Sequence, residues 1–111
     1  MNVTHAEVLK LEGLADPSPG SIVSRSVIQS DAGNITFFAF AKGEGLSPHS
    51  APYNAFVYVV GGKTTVTIGG KENHLSAGEM IIMPAGVPHS VRADEDFKML
   101  LVMIKGKENV I

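Results

Sequence analysis

The sequence predicts an all-β fold, a sandwich or barrel of antiparallel strands, on three observations. Turn-forming clusters recur at short intervals, at Asp16-Pro17-Ser18-Pro19-Gly20, Asp31-Ala32-Gly33-Asn34, Gly61-Gly62-Lys63, Gly69-Gly70-Lys71 and Asp94-Glu95-Asp96. Between them lie short runs rich in Val, Ile, Thr and Phe, residue types that suit a pleated, half-buried surface. No stretch reads as a helix, and many short strands at even spacing indicate a sandwich or a barrel.

In chain order, strands are expected over residues 21–30, 34–42, 55–60, 64–68, 79–83, 90–93 and 97–104. Within the fourth, Thr65-Val66-Thr67-Ile68 alternates polar and apolar, the period-two signature of a strand with one buried face. The Gly-Gly pairs flanking it supply the positive φ angles that tight hairpins need. Ser76-Ala77-Gly78-Glu79 matches the form of a helix capping box, but the strand-like 80–83 follows, so it reads as a turn.

Size and composition bound the function. The chain has 111 residues, enough for one domain over 1–111, and 44% hydrophobic residues, ordinary for a globular protein. The longest apolar run, residues 99–104, is strand-sized and far short of a membrane span, and the first residues lack the pattern of a signal peptide. Cysteine is absent, which excludes disulfides and thiolate metal sites and fits the cytoplasm. A net charge of −2 with no basic cluster gives nucleic-acid binding no support. The expected partners are a small molecule and a second copy of the chain.

Two stretches carry the chemical information. In the first, Gly43 is followed after five residues by His49, and the stretch closes on Gly62. In the second, Gly78 is followed after five residues by Pro84-Ala85-Gly86 and, two residues on, by His89. Residues 49, 51, 55, 57 and 59 share parity, so along an extended segment they face one way, while Phe56, Tyr58 and Val60 face the other. Pro84 cannot donate to a sheet ladder and Gly86 tolerates unusual backbone angles, so a strand ends and another begins there. A hairpin of this kind is expected to bring His89 opposite His49.

This pairing resembles the two motifs of the cupin superfamily, small stand-alone barrels of unassigned function in particular. The core motifs cover 43–62 and 78–93, and seven positions match: Gly43, His49, Gly62, Gly78, Pro84, Gly86 and His89. The resemblance implies a jelly-roll barrel of two packed antiparallel sheets, with the 49-to-59 face lining its interior. It also implies a divalent metal held by three histidines and a glutamate. Here the second histidine falls on Ala51, the glutamate on Ala55, and the asparagine that often ends the second motif on Ala93.

His49 and His89 are therefore the candidate metal ligands, for Zn, Fe, Ni, Mn or Cu, one fewer than a catalytic zinc takes from protein and without the carboxylate of the non-haem iron triad. The candidate ligand pocket comprises His49, Ala51, Tyr53, Ala55, Val57, Met83, His89 and Met99. Three readings stay open: a small-molecule-binding barrel anchored by the two imidazoles, a metal-dependent enzyme of dioxygenase or isomerase type with waters completing the site, and a structural domain or assembly partner whose histidines are core residues. Glu44 and Glu79 are carboxylates outside the pattern, expected as solvated or turn-forming acids. Met80, Met83, Met99 and Met103 are expected as core filling before soft-metal ligation. The outer face at Phe56, Tyr58 and Val60 is expected either to pair two copies or to pack against the chain's own segment near Val8 to Leu11.

Overall fold

The computed structural model describes residues 3–105. Nine strands follow a short 3₁₀ turn at Leu11–Gly13: β1 (Ile22–Ser30), β2 (Gly33–Phe40), β3 (Gly45–His49), β4 (Ala55–Gly61), β5 (Lys63–Ile68), β6 (Lys71–Ser76), β7 (Met80–Met83), β8 (His89–Ala93) and β9 (Phe97–Ile104). They form two antiparallel sheets, one ordered β1-β2-β9-β4-β7 and the other β3-β8-β5-β6, packed face to face as a jelly-roll barrel. No helix among the described residues is long and apolar enough to cross a membrane.

Period-two patterning decides which side of each strand is buried. On β4, Ala55, Val57 and Val59 are buried while Phe56, Tyr58 and Val60 are half-buried, the parity the sequence led us to expect. Val57 lies opposite Leu101 and Val59 opposite Met99, so both belong to the inner face of the five-stranded sheet. They meet Val66, Leu75 and Val91 of the other sheet in one core cluster. Phe40 and Phe97 stack at 4.6 Å between ring centroids and fill one end of it.

Two glycine pairs that look alike in sequence do different work. Gly69 and Gly70, both at positive φ, close the β5–β6 hairpin, where Ile68 pairs with Lys71. At Gly61-Gly62 the chain instead leaves one sheet for the other, since β4 and β5 belong to different sheets. The Pro84–Gly86 turn is also a crossing between sheets rather than a hairpin.

The outer face of the five-stranded sheet is divided. Over one part the N-terminal segment is fastened: Arg25 Nη1 donates to the Leu14 carbonyl (3.1 Å), and Lys98 Nζ to the Glu12 carbonyl (2.6 Å) and the Asp16 carboxylate (2.9 Å). The 3₁₀ turn sits against β4 there. The expected packing of the N-terminal segment on this face thus occurs through residues 11–16, whereas Val8 is 99% exposed. Among the described residues the rest of the face is uncovered, with Met80 46%, Ile82 45% and Ile104 70% exposed.

Candidate functional site

The strand register gives the barrel two distinct ends. At one, β4 ends, β8 ends at Ala93 and β9 begins at Phe97; the backbone of Gly43 donates to the Ala93 carbonyl (2.9 Å), and the Asp96 carboxylate accepts from Lys42 N (2.8 Å). This end is closed by the Phe40–Phe97 stack. At the other, β3 ends at His49, β8 begins at His89, β4 begins at Ala55 and β7 ends at Met83.

His49 and His89 meet at this second end. They are direct partners in the β3–β8 ladder, so both side chains lie on the same face of the four-stranded sheet. Their ring centroids are 4.5 Å apart with planes at 69°, an edge-to-face contact. The expected juxtaposition is present, and its cause is strand pairing rather than a hairpin. His89 is buried at 4% exposure and His49 is exposed, so the pair spans the mouth from interior to rim. Ile68 pairs with His89 from the other side.

Each ring is held from behind. His49 Nδ1 lies 2.9 Å from the Ser47 carbonyl, and His89 Nδ1 lies 3.3 Å from the Val87 carbonyl. Burial, and secondarily the neighbouring His49, hold the His89 imidazole below the ordinary histidine range, against a smaller opposing effect of the Val87 carbonyl. The loops around the pair are tied together: Gly86 N donates to the Ala51 carbonyl (2.8 Å), Ala85 N to Asn54 Oδ1 (2.9 Å), and Gly69 N to the Pro88 carbonyl (2.9 Å).

Of the other candidate residues, Ala55, Val57, Met83 and Met99 are buried in the core between the sheets, with Ala55 and Met83 cross-strand partners at the mouth. Ala51 is half-buried beside Gly86. Tyr53 borders a groove of about 480 Å³ on the outer side, with Phe56, Ile82, Val102 and Ile104. The alternation of the flanking strands does not run through the bend at 52–53, so shared parity with His49 does not fix where Tyr53 lies. Ala93 is buried at the closed end, four residues along β8 from His89, so its small size leaves no room near the imidazoles. Sequence reading passed over Ile68, Leu46 and Leu101, which pack against the core from the inner faces; for Ile68 the 65–68 alternation was the available signal.

The carboxylates outside the motif stay away from the pair. Glu44 lies beyond the far end of β3, exchanging backbone hydrogen bonds with Ala41 and Ala93. Glu79 accepts from Ser76 N (2.8 Å) and Ser76 Oγ (3.0 Å), bonds that hold its carboxyl below the usual range, so it is a turn former. His74 projects on the outer side of the four-stranded sheet, where the Thr65 hydroxyl donates to Asp94 (2.6 Å) and so accepts from His74 Nδ1 (2.9 Å). Met80 is exposed, Met83 and Met99 are core, and no group of three or more His, Cys, Asp or Glu among the described residues is arranged to hold a metal ion.

Comparison with known proteins matches residues 36–105 to the family model described as a cupin domain. The chain belongs to the cupin family. This cupin is similar to a conserved Streptococcus pyogenes protein of unknown function, at 35% identity over 97% of this chain and 95% of that one, TM-score 0.91. It is similar to a cupin 2 conserved barrel domain protein from Leptotrichia buccalis, at 38% identity over 79% of this chain and 43% of that one, TM-score 0.77. It shares its fold with a cupin superfamily protein from Desulfitobacterium hafniense, at 24% identity over 96% and 97% of the two chains, TM-score 0.89. No curated protein matches.

Proposed function

We propose that this cupin binds a small organic molecule at the open end of its barrel, where His49 and His89 orient it by hydrogen bonds. The observation that carries the reading is the imidazole pair itself, two polar rings 4.5 Å apart at the edge of an otherwise apolar interior. A few convergent polar groups beside an apolar wall is the usual design of a small-molecule site. Ala51, half-buried and standing where a bulkier ligating side chain would reach in, leaves apolar surface at this end. The test is a ligand screen read by the unfolding midpoint, because a molecule that binds the native state must stabilise it. A hit that His49→Ala and His89→Ala abolish supports the reading; a broad screen with no hit sinks it.

The metal-dependent alternative fits the residues less well. With Nδ1 of each ring turned to a backbone carbonyl, Nε2 is the atom left to ligate, as in many metal sites. Yet two imidazoles are one ligand short of a catalytic zinc site and lack the carboxylate of an iron triad. We therefore derive no reaction step through a metal. Elemental analysis of protein purified without chelator or histidine tag decides the matter: a stoichiometric metal lost in His49→Ala would replace the first reading with the second.

We also propose that two copies pair through the bare part of the outer face, where Phe56, Met80, Ile82 and Ile104 present apolar surface to water.

A further inference from the structure

The backbone around the two histidines fixes more than their positions. A carbonyl oxygen can only accept, so the nitrogen facing it must carry a proton. Nδ1 of His49 faces the Ser47 carbonyl and Nδ1 of His89 the Val87 carbonyl, each two residues back along its own chain segment. In the neutral ring the proton therefore sits on Nδ1, and Nε2 carries the lone pair. Both rings are set the same way by the same local geometry.

Among the described residues, Nε2 of neither ring has a hydrogen-bond partner in the protein. Nor is Nε2 of His89 sealed in the core: the buried side-chain nitrogen left without a partner among the described residues is Arg25 Nε. The open end of the barrel thus offers two acceptors close together, with no donor or positive side chain on the same ladder rung.

On the reading of this end as a ligand site, we infer that it selects an uncharged molecule carrying two adjacent hydrogen-bond donors, such as a vicinal diol, and rejects carboxylates. Two neighbouring hydroxyls donate one proton to each Nε2. A carboxylate has only acceptors and meets two lone pairs. To be held, it would need a donor where the ring geometry presents acceptors. Specificity here comes from leaving the wrong ligand unpaired, which discriminates more sharply than a small change in apolar contact.

The experiment uses the full chain, labelled with nitrogen-15, at a pH where histidine is neutral. Two-bond correlations of the imidazole nitrogens report which nitrogen bears the proton. For His49 and His89 we expect a protonated Nδ1 and an unprotonated Nε2; an unprotonated Nδ1 on either ring overturns the inference. The same spectra are then followed through titrations with cis-1,2-cyclohexanediol and with cyclohexanecarboxylate. The diol is expected to shift both Nε2 resonances and to bind at least about tenfold more tightly than the acid, the ratio that one lost charge-free hydrogen-bond pair produces. Equal or tighter binding of the carboxylate overturns the ligand class while leaving the ligand site standing. Failure of the diol to move either ring overturns the ligand class, and the site itself stands or falls with the ligand screen.

Discussion

Gly62 and Gly70 make a matched pair for testing how the barrel closes. Their φ angles are nearly equal, +82° and +84°. A β-carbon on Gly70 would meet open space, whereas one on Gly62 would lie 2.2 Å from the Asp96 carbonyl oxygen and 2.7 Å from Phe97 Cα. Alanine at either site costs about 1–2 kcal/mol for a left-handed backbone. At Gly62 the clash adds an overpacking cost of about 1–3 kcal/mol, or more because the obstacle is backbone. The unfolding entropy of a 111-residue domain is about 230 cal/mol/K, so each kcal/mol moves the midpoint by about 4 °C. Gly70→Ala is thus expected to lower Tm by roughly 4–8 °C and Gly62→Ala by roughly 8–20 °C. Urea titration with unchanged m-values checks that native stability is the cause. Equal losses in the two variants would refute the reasoning, because the shared φ would then explain everything. Gly62 also lies at the end opposite the histidines, so a folded Gly62→Ala protein should keep its His49 and His89 ring resonances in place.

Three further outcomes follow from other parts of the structure. Because His89 binds a proton less readily in the folded than in the unfolded chain, stability is full above an ordinary histidine pKa of about 6.5 and falls as pH drops below it. In acid titrations of stability, His89→Gln should remove that decline; an unaltered slope would place its origin elsewhere. Thr65→Val removes a buried hydroxyl that bridges Asp94 and His74, at a cost of about 1–3 kcal/mol by urea unfolding at neutral pH. Thr65 is first among the groups that hold the Asp94 carboxyl below its usual range, so this contribution is present above the unfolded carboxylate pKa and lost as pH falls through the depressed one. A deficit of equal size at acidic pH would contradict it. Ile82→Lys should convert a dimer to a monomer in sedimentation velocity, with little change in far-UV signal; a wild-type chain that sediments as a monomer would remove the proposed pairing.

Strand existence was legible wherever side chains decide it. The strand expected at 97–104 is β9 as observed, and the inner face of β4 follows the parity of residues 55, 57 and 59. Two strands gave no such signal. β3, Gly-Leu-Ser-Pro-His, and β6, Lys-Glu-Asn-His-Leu-Ser, are edge strands of the four-stranded sheet with mostly exposed side chains, so their backbone ladders rather than their composition make them strands. For the candidate site, the resemblance to the cupin motifs identified His49 and His89, with glycine and proline at the motif offsets marking the turns beside them. It did not reveal which alanines matter. Ala55 and Ala93 both stand at motif positions, but register places one beside Met83 at the open end and the other beside Gly43 at the closed end.

That difference between ends bears on what the barrel can tolerate. The Phe40–Phe97 stack, the tight approach at Gly62 and the bonds from Gly43 and Lys42 are concentrated at the closed end. The fastened N-terminal segment, held by Lys98 one residue past Phe97, adds to the same end. The open end is framed instead by loop-to-loop backbone bonds around Ala51, Asn54 and Pro88. A side chain there can change without unpicking the aromatic stack, and alanine at 51 and 55, where the cupin motifs carry ligating side chains, is compatible with an intact fold for that reason. On the proposed reading, stability and recognition are separable: substitutions at His49 should alter binding with little effect on Tm, because its ring is exposed, whereas substitutions at Phe97 should do the reverse. A His49→Ala protein that unfolded as readily as Phe97→Ala would show that the imidazole pair is part of the structural core and not a site built upon it.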